Sequence, residues 1–142
     1  MRPKTFLRFL TVVLLSSGWL CAWVPDEIPG LHYPRLAQFA RIEGVVVVEC
    51  IIGNDGSVTS TIVKSGHRLL SEAAAKAAKG WHFKRSEDGH DTSTVQLTFE
   101  FRLVGSCKSP NHCEESLLLK YPDRAIVTTE MPGIQPSRSS DH

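Results

Sequence analysis

The sequence predicts an α+β fold: a small three-stranded antiparallel sheet with one packed α-helix. Three observations carry this. From Gly44 to Phe83 the chain reads as strand, tight turn, strand and amphipathic helix. Asn54-Asp55-Gly56 supplies turn residues that tolerate positive φ between the two strands. From Thr94 to Leu103, Val95, Leu97, Phe99, Phe101 and Leu103 alternate with Thr94, Gln96, Thr98, Glu100 and Arg102. That is the period of a half-buried strand.

Residues 1–23 form a targeting segment. Arg2, Lys4 and Arg8 make its positive end, Phe9 to Leu15 its apolar stretch, and Ser16-Ser17-Gly18 its small residues. Cleavage after Gly18 or Ala22 is expected. The other reading is a short membrane anchor. The 16 residues from Phe9 to Val24 fall short of that, because a bilayer needs roughly 20. Lipidation at Cys21 is disfavoured, since Leu20 stands where a small residue is required. Residues 24–32 carry Pro25, Pro29 and Gly30 and read as a linker or extended lead-in.

The domain is expected over residues 33–103. Arg35 to Arg41 predicts a short helix. Val45 to Ile52 is a strand with Val46, Val48, Cys50 and Ile52 on one face. Glu49 marks the opposite face as the wetter one, so Cys50 points into the core. Ser57 to Lys64 is the second strand. Ser71 is the expected N-cap of the helix, with Glu72 in its first turn. Ala73, Ala74, Ala77 and Ala78 give it a small-residue face that can lie close to a sheet. Gly80 weakens its last turn, and Trp81 and Phe83 follow as aromatic anchors. Ser86 to Ser93 is a polar loop. Residues 104–142 are a tail: a cysteine loop from Val104 to Glu115, an apolar patch from Ser116 to Lys120, and a further strand at Arg124 to Thr129. Disorder is expected from Met131 onwards.

Tyr33-Pro34-x-x-Ala37, Gly44 with its alternating valines, Asp55-Gly56-x-Val58, Ser65-Gly66-His67, Leu70 with Ala73-Ala74, and Trp81-His82-Phe83 form an ordered set. The set resembles the TonB C-terminal domain family and covers Tyr33 to Leu103. The chain departs from the family pattern at Ser71, at Cys50, and after the tryptophan motif, where Lys84-Arg85 is followed by no proline. The resemblance implies a periplasmic domain that adds a short peptide of an outer-membrane receptor to its sheet as an extra strand. By position, Thr94, Gln96, Thr98, Glu100 and Arg102 are the candidate peptide-binding edge.

Composition narrows the rest. The net charge is +1 with no basic patch, which argues against nucleic acid. Cys107 and Cys113 flank a turn-rich loop, and a local disulfide is expected there, as in an oxidising compartment. Their spacing is not a common zinc spacing. Pairing of Cys50 with a tail cysteine stays open, because connectivity is not readable from sequence. The six histidines are scattered, and no nucleophile elbow, metal motif or Walker loop occurs. We therefore expect no enzyme, no cofactor and no metal.

The expected function is a non-catalytic periplasmic or secreted module that binds an extended peptide by strand addition. Its partner is a protein or peptide, with an outer-membrane receptor segment as one candidate. Two structural alternatives stand beside this: the tail strand closes the edge, or two copies pair edge to edge as a homodimer. The alternative function is an inner-membrane-anchored energy transducer of outer-membrane transport, with its domain in the periplasm. Membrane association follows only if the N-terminal segment is uncleaved. Against the transducer, nine residues from Val24 to His32 reach at most about 30 Å. The family's anchor-helix histidine also has no counterpart before His32.

Overall fold

The computed structural model describes residues 23–85, 93–109 and 112–133. The targeting segment to Ala22, most of the loop Ser86 to Ser93 and the end of the tail lie outside the described residues. The elements in chain order are β1 (Trp23–Glu27), α1 (Arg35–Phe39), β2 (Gly44–Ile52), β3 (Val58–Ser65), α2 (Arg68–Lys79), β4 (His82–Arg85), β5 (Thr94–Cys107), β6 (Glu115–Lys120) and β7 (Arg124–Pro132).

The three expected strands are β3, β2 and β5, and they pair antiparallel in that order. The sheet does not stop there. β7 adds to the far side of β5 in parallel, and β6 closes the order as β3-β2-β5-β7-β6. The expected α+β class holds, with five strands in place of three. β7 runs through Met131 and Pro132, where disorder was expected.

The alternation written in the sequence decides which face is buried. Val46, Val48 and Cys50 of β2 and Leu97, Phe99 and Phe101 of β5 are buried against the alanine face of α2. Ala74 and Ala78 are fully enclosed and bring the helix close to the sheet. Trp81 meets Phe99 edge-on with ring centroids 5.9 Å apart, and Tyr33 meets Phe101 edge-on at 5.4 Å. Each such side chain contributes about 2–3 kcal/mol on burial. Burial, and then the Glu43 carboxylate, push the Tyr33 phenol up to about 12. Its hydroxyl donates to Ile42 O at 2.6 Å.

Two expectations are corrected in detail. The helix starts at Arg68, with His67 rather than Ser71 as N-cap. The His67 ring nitrogen accepts from Leu69 N at 3.2 Å, and the Ser71 hydroxyl donates back to His67 O at 2.9 Å. A histidine in extended conformation can thus do the work of a serine cap. The predicted linker is partly structured. β1 pairs antiparallel with β4 in a two-stranded ribbon, braced by Lys84 on Asp26 at 2.7 Å. Pro25 is tolerated because such a ribbon has free edges.

Gly56 shows how tightly the hairpin turn meets this ribbon. It sits at φ +86°, and a Cβ there would lie 1.9 Å from Phe83 O. Phe83 N in turn donates to Gly56 O at 2.8 Å. Gly105, at φ +56°, has open space around it. Gly56→Ala is therefore expected to cost about 2–4 kcal/mol, and Gly105→Ala only about 1 kcal/mol. Urea denaturation of both variants checks the difference.

Cys50 is fully buried and not in a disulfide. Burial first, and the Glu49 carboxylate second, push its thiol from 9.0 up to about 11. A raised pKa means that the folded state holds the proton more tightly. That stabilisation is whole below pH 9 and is lost as the pH rises to about 11. We expect stability to fall by about 2 kcal/mol across this window. In Cys50→Ala, urea midpoints measured at stepped pH should fall less steeply.

Candidate protein-interaction edge

A sheet binds other chains where its backbone groups lack partners. The free and filled edges therefore define the candidate site. β5 carries the residues singled out in the sequence. Thr94, Gln96, Thr98, Glu100 and Arg102 do share one face, turned away from α2. On one side β5 is paired with β2 from Thr94 to Phe101. On the other side β7 pairs with it from Thr98 to Cys107. The edge expected to be open is thus filled by the tail from Thr98 onwards. Of the alternatives drawn from the sequence, tail closure is the arrangement seen. The side chains Glu100 and Arg102 pair with each other at 2.6 Å on the outer face.

The tail is fixed by the expected disulfide and by polar contacts to distant elements. Gln38, on α1 and buried, donates from Nε2 to Thr129 Oγ1 at 3.1 Å and to Glu130 O at 2.7 Å. Glu115 accepts from Tyr33 N at 2.9 Å, and its other oxygen lies 2.9 Å from His32 Nδ1. The Tyr121 hydroxyl donates to Pro25 O. The Cys107–Cys113 disulfide closes the loop where β5 turns towards β6. The disulfide is the one expected from the sequence; Gln38, Glu115 and Tyr121 do not announce themselves there, because the partner of each lies on a distant element. The only local hint was a polar residue, Gln38, beside Ala37 in a short apolar helix.

The five-stranded sheet has two outer strands, β3 and β6, and they differ. β3 exposes Ile62 and Val63, but its register shifts at Val47/Val48 and at Ile51/Ile52. Lys64 also stands near its end, paired with Glu49 at 3.6 Å. Bulges and lysines are the usual protections of an edge. β6 has no bulge, and its one lysine, Lys120, is its last residue. Its six residues pair with β7 without a shift, and all six are exposed. Leu117, Leu118 and Leu119 are exposed by 39%, 57% and 40%. Side chains on both faces of the strand are therefore apolar and open.

Against known proteins, the family described as Gram-negative bacterial TonB protein C-terminal matches residues 29–103. The chain belongs to the TonB C-terminal family. The matched region runs from Pro29 to Leu103 and takes in α1, β2, β3, α2, β4 and the first part of β5. β6 and β7 lie beyond it. Among solved structures, the C-terminal domain of Pseudomonas aeruginosa TonB, determined in solution by NMR, is similar. It is 30% identical, with a TM-score of 0.41, covering 54% of this chain and 80% of that one. No curated protein matches. As a TonB C-terminal domain, the protein is a protein-interaction module, and its tail strands β7 and β6 join the sheet from beyond the matched residues.

If the tail is an integral part of the sheet, loosening its polar clamp should be felt by the whole domain. Gln38→Ala leaves Thr129 Oγ1 and Glu130 O without that donor and is expected to cost about 1–3 kcal/mol. A drop in the urea midpoint, together with faster amide exchange in β7, would bear this out. Faster exchange in β7 alone would mean that the tail opens independently of the domain.

Proposed function

We propose that this protein is a non-catalytic periplasmic or secreted module that captures an extended segment of another protein by strand addition, and that β6 is the strand that receives it. The observation that carries the reading is the contrast between edges. β5, the strand to which the sequence points, is paired on both sides from Thr98 to Phe101. β6 is paired on one side only and is regular, apolar and exposed. Strand addition draws its affinity from main-chain hydrogen bonds and its selectivity from alternate side chains. Here Leu117 and Leu119 would meet one face of the incoming strand and Leu118 the other. An outer-membrane receptor segment is the partner class that the family suggests.

A photo-crosslinking amino acid placed at Leu118, in cells that secrete the protein, tests this. Adducts with another protein are expected from Leu118 and not from Ile62 on β3. Adducts from Ile62 alone, or from neither position, would remove β6 from the reading.

A further inference from the structure

We propose that the β6 edge pairs with the β6 edge of a second copy of this chain, forming a two-fold dimer centred on Leu117. The inference rests on the reading of β6 as a strand-addition edge and names an occupant for it. The argument comes from the charges at the two ends of the strand.

Each end of β6 holds two like charges side by side. At one end Lys120 stands opposite Arg124 on β7. At the other, the ladder continues one step beyond the strand. Glu130 N donates to Glu114 O at 3.3 Å, so that Glu114 stands opposite Glu130. Like charges directly opposite each other in a sheet repel. Glu130 Oε2 accepts from Glu114 N at 3.3 Å, but no ion pair to Arg124, Lys120, Glu114 or Glu130 is seen among the described residues. Residues 124, 126, 128 and 130 of β7 share the face turned away from the core, since Ala125 and Val127 point into it. Glu114, Ser116, Leu118 and Lys120 continue that face on β6.

A second copy relieves both ends at once. Two β6 strands joined side by side by a two-fold axis run antiparallel, and the axis must stand perpendicular to the sheet. Each outer face then continues into the other, so opposed residues must share a face. With Leu117 on the axis, Ser116 meets Leu118, Glu115 meets Leu119, and Glu114 meets Lys120. Across the joined sheet the outermost row reads Glu130, Glu114, then Lys120 and Arg124 of the second copy. Two negative charges face two positive ones, and the symmetry repeats the row at the other end. Between the two rows lie the six leucines of the two strands. A heterologous peptide could match the leucines, but this strand matches both the leucines and the charge order. The same pairing fills the edge that a foreign segment would use, so the two occupants compete.

Sedimentation velocity of the intact secreted chain over a concentration series, with two charge variants and their combination, is the test. The chain is expected to reach twice its monomer mass. Lys120→Glu and Glu114→Lys should each weaken the dimer about tenfold or more, since each places two like-charged pairs across the axis. The double variant Glu114→Lys with Lys120→Glu should restore it. Each single change also relieves a like-charge couple within one chain, so thermal stability should hold or rise. Loss of the dimer therefore cannot be misfolding. A dimer indifferent to both single changes would overturn the inference. So would single changes that the double variant does not rescue. A chain that stays monomeric throughout, yet crosslinks a foreign protein from Leu118, would also overturn it while leaving strand addition in place. A monomer that crosslinks nothing would remove both.

Discussion

The structure depends on β5 having a partner on both backbone edges across its centre, from Thr98 to Phe101. It is a strand of 14 residues, and it carries the largest buried side chains of the sheet, Phe99 and Phe101. A strand so apolar on its inner face cannot be left at a sheet margin without inviting another chain. β2 covers one side as far as Phe101. β7 covers the other from Thr98 to Cys107, and so extends the sheet past the end of β2. The pairing with β7 is parallel, which demands a long crossover. The chain supplies it between Cys107 and Arg124, and uses the passage to lay down β6 as the outermost strand. The disulfide between Cys107 and Cys113 keeps the start of that crossover beside the end of β5.

Adding strands moves an edge outward without abolishing it. The margin that β7 removes from β5 reappears on β6 two positions away. The two margins of the final sheet are managed differently. β3 is bulged, as an edge that avoids company is. β6 pairs without a register shift and is leucine-rich, with charge only at its ends, Glu115 and Lys120. An unprotected edge is an aggregation hazard in a protein that does not use it, and this contrast is the physical ground for assigning β6 a partner.

Local periodicity made the family core legible. The alternation from Val95 to Leu103, the valines of β2, Asn54-Asp55-Gly56 and the alanine face of α2 each encode their element within a few residues. The burial of Cys50 followed from the same alternation. What was not legible is what depends on distant partners. Trp23 to Glu27 contains Pro25 and has no strand signal alone; it becomes β1 because β4 lies beside it. The strand at Arg124 was visible as a β-branched run, but nothing local specified that it would insert between β5 and β6. The peptide-binding edge was placed on β5 because the tail's docking is decided by Gln38, Glu115 and Tyr121, whose partners lie 82 to 96 residues away. Histidine is not among the preferred N-cap residues, so the sequence points to Ser71, although the His67 ring nitrogen accepts the same bond.

Magnitudes decide between two ways in which this domain could take a strand. An incoming segment could displace β7 and use β5, or leave β7 in place and use β6. Main-chain hydrogen bonds roughly cancel in the first case, since one ladder replaces another. The side chains do not cancel. Ala125, Ile126 and Val127 are at most 3% exposed, and releasing them to water costs on the order of 5 kcal/mol. That is between three and four orders of magnitude in affinity, before the Gln38 and Glu115 contacts are broken. The disulfide would also hold the displaced strand close by, where it competes for β5 at high effective concentration. Addition at β6 has no such penalty, because the strand is already ordered by β7 and only its unpaired backbone must exchange water for a partner. A fixed, preordered strand that loses nothing on docking is the better receiver.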